Sequence, residues 1–367
     1  KRTLTVGPVA AQTKIYDGTT AADAAEFHAT LGNVVAGEES SVAATATGAA
    51  YNDKNVAGAN RIDYTGIALT GTGAVNYTVA DTAQGAGTIT RRALTLGEVG
   101  AQTKTYDGNT SADTAKFRAA LNNTVAGDSV TATAAGAAYN SKDVATANAV
   151  SYTGVSLAGA DAGNYSLAAT TAQGTGTITK RALTVGTVAA QTKTYDGTTS
   201  AKASEFHTTL ENVVAGEENS VTATAAGAAY DDKNVAKASK VNYTGVALQG
   251  TGAGNYTIAT TAEGAGTITK RALTLGAVAA QTKTYDGTRA ADASQFRAAL
   301  AGTIAGDSVT AAAAGAAYND KNVARANRVD YTGVALRGAD AGNYSIANTA
   351  QGAGTITHRD LTLTADT

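Results

Sequence analysis

Short runs of alternating apolar and polar positions recur along the chain. In its last quarter Leu273 and Leu275 alternate in A-L-T-L-G, and Val329 and Tyr331 in R-V-D-Y-T-G, followed by Val334 and Leu336. Tyr344 and Ile346 alternate in N-Y-S-I. A period of two over a few residues, bounded by Gly, Asn and Asp, predicts short half-buried strands. Thr fills many of the outward positions, as suits a pleated, partly exposed face. Y-D-G, G-A-D-A-G-N and Y-N-D-K-N put Asp, Asn and Gly where tight turns need them. One segment departs from this period. A-D-A-S-Q-F-R-A-A-L spaces Phe296 and Leu300 four apart among good helix formers, and Phe27 with Leu31, Phe117 with Leu121 and Phe206 with Leu210 repeat the spacing. It predicts one short amphipathic helix laid on each sheet.

The pattern is a repeat. T-K-x-Y-D-G occurs four times, with its tyrosine at Tyr16, Tyr106, Tyr195 and Tyr285, spaced 90, 89 and 90 residues apart. Each copy holds three further tyrosines 13 apart, such as Tyr51, Tyr64 and Tyr77, and one phenylalanine. Copies one and three share E-F-H and A-G-E-E, whereas copies two and four carry F-R-A-A-L and A-G-D-S-V, so the array reads as a duplicated pair. The boundaries implied are 1–90, 91–179, 180–269 and 270–357, with the start of a fifth copy at 358–367. Both ends match the internal junctions, so the pattern is expected to belong to a longer array, and the lack of a leader says nothing of location.

The junctions read Ile-Thr, two basic residues, then Ala-Leu-Thr, without the Gly and Ser of a flexible linker. The inward parity changes between Ile268 and Leu273, which predicts a bend or bulge there. Stiff connections and an elongated rod held by nearest-neighbour contacts are expected. The fold class expected is mostly β (α+β within a unit): four small β-rich domains in tandem, each of about six strands plus one short helix. A β-grasp-like layout is one topology such a unit admits.

Composition then excludes several functions. With no Cys, disulfides and thiolate metal centres are impossible. Twenty-eight basic against 30 acidic side chains give a formal charge of -2, which argues against nucleic acid as a partner. No apolar run is long enough for a transmembrane helix.

Read in order, K-x-Y-D-G-T-T, A-x-Y-x-D-K-N-V-A, Y-T-G-V-A-L-x-G-x-x-A-G-N-Y and G-T-I-T-K-R-A-L-T-V resemble the YDG and MBG type tandem repeats of very large secreted bacterial adhesins, including filamentous-haemagglutinin-like proteins. The resemblance spans essentially the whole chain. It implies export to the cell surface or matrix, a stalk or fibre role, and no catalytic residues. Family junctions commonly carry Pro where Arg or Lys stands here, and the A-E-F-H-A-T-L segment is longer than the usual stretch, so junction packing is expected to differ.

Candidate chemistry is sparse. His28 and His207 are matched by Arg118 and Arg297 in the other copies, which suits a surface position and not a ligand, and His358 stands alone. Asp17, Asp107, Asp196 and Asp286 suit turns, with a calcium site as the alternative; Asp161 and Asp340 also read as turn residues. Lys14, Lys104, Lys193 and Lys283 recur with Asn76, Asn164, Asn255 and Asn343, a pairing that in some surface fibres forms isopeptide bonds. The paired basic residues suit either a charged junction or polyanion binding strengthened by repetition. No nucleophile has a recurring His partner and no phosphate loop is present. No catalytic, cofactor-binding or metal residue is assigned, and no enzyme activity or cofactor is expected. The expected partners are neighbouring repeats. A weak multivalent polysaccharide-binding array and homo-assembly into filaments stay open as alternatives to the stalk.

Overall fold

The first repeat is built from ten short strands: β1 (Arg2–Thr3), β2 (Thr5–Val9), β3 (Gln12–Ile15), β4 (Ala29–Gly32), β5 (Ala43–Thr45), β6 (Gly48–Tyr51), β7 (Arg61–Thr65), β8 (Ala68–Thr70), β9 (Tyr77–Thr78) and β10 (Thr82–Thr90). They are seen in a computed structural model that describes residues 1–364. The central sheet runs β3-β10-β7-β6, with β3 parallel to β10 and the other pairs antiparallel. Two-stranded ladders β1–β9, β2–β4 and β5–β8 complete the unit. The same pattern recurs in every repeat. The chain divides into two compact units, Lys1–Arg181 and Ala182–Thr367, each holding two repeats. Among the described residues no helix is long and apolar enough to cross a membrane.

Alternation places the core where the hydropathy pattern puts it. Ile62 and Tyr64 of β7 and Ile89 of β10 are buried, while the threonines of β10 face outward. Tyrosine supplies most of the core volume, and fifteen of the sixteen tyrosines are buried. A tyrosine ring buries as much as phenylalanine but needs a partner for its hydroxyl. Tyr64 packs against Phe27 with ring centroids 4.8 Å apart, and its hydroxyl accepts from Gln12 Nε2 at 2.8 Å.

The expected amphipathic helix is a difference. Ala24–Glu26 forms a single 3₁₀ turn, capped by the Asp23 carboxylate, which accepts from Ala25 N at 2.8 Å. Phe27 ends the turn, and Leu31 lies in β4 opposite Val6 of β2. A spacing of four places residues on one face of a helix and equally on one face of a strand, and pairing with β2 decides in favour of the strand. Among the described residues the only helical elements are three-residue 3₁₀ turns and none crosses the sheet, so the β-grasp-like layout is not adopted. Where a bend or bulge was expected between Ile268 and Leu273, the structure has a strand interruption: one strand ends at Thr269 and the next runs Arg271–Ala272, and at the first junction β10 ends at Thr90 and the next strand runs Arg92–Val99.

Candidate functional site

The signature residues of the repeat meet at the junction between the two repeats of each unit. The Y-D-G turn forms its base. Asp17 Oδ1 accepts from the Thr19 backbone and hydroxyl, both at 2.9 Å, as an Asx turn does. Lys14 Nζ donates to Asp17 Oδ1 and Thr19 O, each at 2.8 Å, and to Ala21 O at 2.9 Å, and stands 5.3 Å from the centroid of the Tyr51 ring. The other three repeats tie the equivalent lysine in the same way. Bonds from Lys283 and Thr288 hold the Asp286 carboxyl down at about 2. A carboxyl depressed in the fold contributes stability above its ordinary value near ~3.9, and that contribution is lost as pH falls from there through about 2. In Lys283→Gln the Asp286 titration, followed by NMR, is expected to rise towards the ordinary value.

The knot aims Tyr16 at the next repeat. Its ring is fully buried and meets Tyr165 edge-on at 5.3 Å. Its hydroxyl donates to Asp128 Oδ2 at 2.8 Å, and Tyr165 donates to the same oxygen at 2.6 Å. The Tyr165 hydroxyl also accepts from Val125 N at 2.9 Å. Burial, then the Asp128 carboxylate, raises the Tyr16 hydroxyl far above its ordinary value, so it stays protonated and donating. A Cβ built on Gly18 would lie 2.9 Å from Val125 Cγ1, so Val125 rests directly on the turn glycine, whose φ is +80°.

A second contact lies beside this one. Asn164 is 4% exposed; its Oδ1 accepts from Val56 N at 2.9 Å and its Nδ2 donates to Asn55 Oδ1 at 2.9 Å. Asp53 fixes Asn55 through bonds of 2.7 and 3.0 Å. Arg92, second of the basic pair, donates to Asn123 O at 2.8 Å and Asn123 Oδ1 at 2.6 Å, and reaches Tyr16 O at 3.4 Å. Arg91 donates to Gly163 O at 3.1 Å. Unit 2 repeats the arrangement: Tyr195 and Tyr344 both donate to Asp307 Oδ2, at 2.9 and 2.6 Å, Asn343 pairs with Asn234 and Val235, and Ile304 rests on Gly197.

The structure sorts the other candidates. His28 is exposed, with Nδ1 3.0 Å from Glu26 O, and Arg118 at the equivalent place donates to Ala115 O and Phe117 O. Both side chains serve the carbonyls of the 3₁₀ turn, which explains their exchange, though the turn is not the helix expected. His207 and His358 are exposed. Asp161 and Asp340 accept from Ser129 N and Ser308 N at 2.8 Å, as turn residues. Lys14 lies in the knot whereas Asn164 is bound to Asn55 and Val56, so the structure does not bring that recurring lysine and asparagine together. Among the described residues no group of three or more His, Asp or Glu side chains could hold a metal. Asp128 and Val125 are functional residues that the sequence reading did not single out, whereas Arg92 belongs to the basic pair that it weighed as a charged junction or a polyanion site.

The YDG domain family model matches residues 1–84, 90–172, 179–263 and 269–352. No curated protein matches. Among solved structures, Drosophila N-cadherin EC1-4 is 8% identical over 95% of this chain and 100% of its own, with a TM-score of 0.25. Sidekick-1 immunoglobulin domains 1-5 are 8% identical over 96% of this chain and 80% of their own, at 0.25. The S-layer protein rSbsC is 9% identical over 97% of this chain and 54% of its own, at 0.17. Likeness at such TM-scores carries no structural argument.

Proposed function

The chain belongs to the YDG domain family, and from that premise we propose that it is a non-catalytic structural segment, a stalk or fibre portion of a secreted bacterial surface or matrix protein that spaces a binding region. One observation carries this reading: the signature tyrosine of each Y-D-G turn that faces a following repeat within its unit is used up in joining that repeat, with its hydroxyl on the neighbour's carboxylate and its glycine under the neighbour's aliphatic side chain. The recurring tyrosines, all but Tyr285, are in the core or in the junction. Buried tyrosines offer no stacking platform, and Arg92 is turned inward onto Asn123 and Tyr16. A joint of packed rings and charge-assisted hydrogen bonds resists bending and keeps neighbours in register.

The test is small-angle X-ray scattering extrapolated to zero concentration. A compact chain of 367 residues has a radius of gyration near ~21 Å. The stalk reading expects about twice that. A value near the compact one would overturn it.

A further inference from the structure

We propose that repeats 2 and 4 each carry a docking groove for an extended peptide with a carboxylate side chain, which adds as a strand along Ala119–Asn122 and along its equivalent Ala298–Ala301. The site is additional to the stalk reading and does not depend on it.

The groove follows the difference between the two kinds of copy. Copies one and three read A-G-E-E-S-S-V and A-G-E-E-N-S-V, and their closing valines, Val42 and Val221, are 6% and 3% exposed. Copies two and four read A-G-D-S-V, two residues shorter, and the equivalent Val130 and Val309 are only half-buried. In repeat 2 this valine lines a groove of about 980 Å³ with Phe117, Arg118 and Leu121. In repeat 4 Val309 lines one of about 480 Å³ with Phe296, Arg297 and Leu300. Repeat 2 has a repeat on each side of it in the chain, so its groove is not a feature of a chain end.

Two features of the groove specify the occupant. Among the described residues each bordering strand is paired on one side only: Ala119–Asn122 with Arg92–Val99, and Thr131–Thr133 with Ser156–Ala158. In repeat 4 Ala298–Ala301 and Thr310–Ala312 are likewise singly paired. Unpaired amides and carbonyls along such an edge recruit an extended chain as an added strand. An arginine stands at the start of that edge. Arg118 Nη1 donates to Ala115 O at 2.8 Å and to Phe117 O at 2.7 Å, and Arg297 Nη1 donates to Ser294 O at 2.7 Å and to Phe296 O at 2.8 Å. Nε and Nη2 of both have no partner among the described residues, so a guanidinium already fixed in place offers its remaining donors to a carboxylate. Two acids lie nearby. Glu98 borders the groove of repeat 2, where repeat 4 has Ala277, and Asp307 borders that of repeat 4 with its Oδ2 already held by Tyr195 and Tyr344. The ring in each groove, Phe117 or Phe296, is 2% exposed. It gives a sugar no stacking platform, which favours a peptide over an acidic polysaccharide.

The test pans a phage-displayed library of random heptapeptides against the full chain. The selected peptides are then followed by fluorescence anisotropy and amide hydrogen exchange. They are expected to carry Asp or Glu, to lack Pro, and to slow exchange along 119–122 and 298–301. The double variant Arg118→Gln with Arg297→Gln should bind them at least about tenfold more weakly, roughly 1.4 kcal/mol. Glu98→Ala removes a competing charge and should strengthen binding at the groove of repeat 2. All three positions are exposed, and unchanged thermal melts establish that the variants fold. No enriched peptide, equal binding to the double variant, or slowed exchange confined to other strands would each overturn the proposal. So would an oligogalacturonate that binds where no peptide does, which would make the groove a polysaccharide site.

Discussion

Replacing Tyr16 by alanine is expected to destabilise the first two repeats together, by about 3–5 kcal/mol, the range for removing a buried aromatic ring. The ring is fully buried, meets Tyr165 edge-on and lies in one apolar cluster with Leu94 and Tyr165 of the next repeat. Its loss opens a cavity between repeats and leaves Asp128 with one of its two tyrosine donors. Urea unfolding combined with hydrogen exchange should show protection falling in both repeats. Tyr16→Phe keeps the ring and removes only the hydroxyl, so it should cost about 1.5–3 kcal/mol, the scale of a hydrogen bond to a charged group. Tyr285→Ala, at a half-buried position, should cost less than Tyr16→Ala. Equal losses at the two positions would mean that Tyr16 serves its own repeat alone.

The second large effect is expected at Gly197. Its φ of +79° lies in the left-handed region, where a Cβ costs about 1–2 kcal/mol. A Cβ there would also stand 2.9 Å from Ile304 Cγ2 of the next repeat. Ile304 is short and branched, so it yields by shifting backbone, and overpacking of this kind costs a further ~1–3 kcal/mol. Gly287 has a φ of +82° and open space in front of it. Gly287→Ala should therefore show the backbone cost alone. The difference between the two variants in denaturant midpoint isolates the contact between repeats. Equal losses would leave Ile304 with no part in the joint.

Much of this was legible in the chain. Alternation in R-V-D-Y-T and N-Y-S located strands, Asp-Gly pairs located turns, and the parity change at the junction located the strand break. The recurring tyrosines, all but Tyr285, lie in the core. Two strands escaped because their ladders carry little hydropathy. β3 reads Q-T-K-T in three of the repeats, and its inward side chains are Gln and Lys, held by Tyr64 and the Y-D-G turn in the first. β6 reads G-A-A-Y, too small to show a period. The Phe27–Leu31 spacing fits helix and strand alike, and only the long-range partner β2 distinguishes them.

The junction was hidden for a different reason. Tyr16 and Asp128 are 112 positions apart, and Asn164 and Asn55 are 109 apart. The carboxylate sits in A-G-D in one pair of copies and in A-G-E in the other, so it does not stand out as a fixed residue. Y-D-G announced a turn, and it is one. Nothing local in the sequence revealed that the turn also presents a socket.

The central claim is that the Y-D-G tyrosine and the neighbouring carboxylate hold consecutive repeats together. A double-mutant cycle between Tyr16→Phe and Asp128→Ala in the full chain, read by hydrogen exchange in the first two repeats, tests it most directly. Residues sharing one hydrogen-bond network are expected to couple by about 0.5–3 kcal/mol, so the double variant should lose less than the sum of the singles. Losses that add to within about 0.5 kcal/mol would show the two side chains acting independently and would contradict the account.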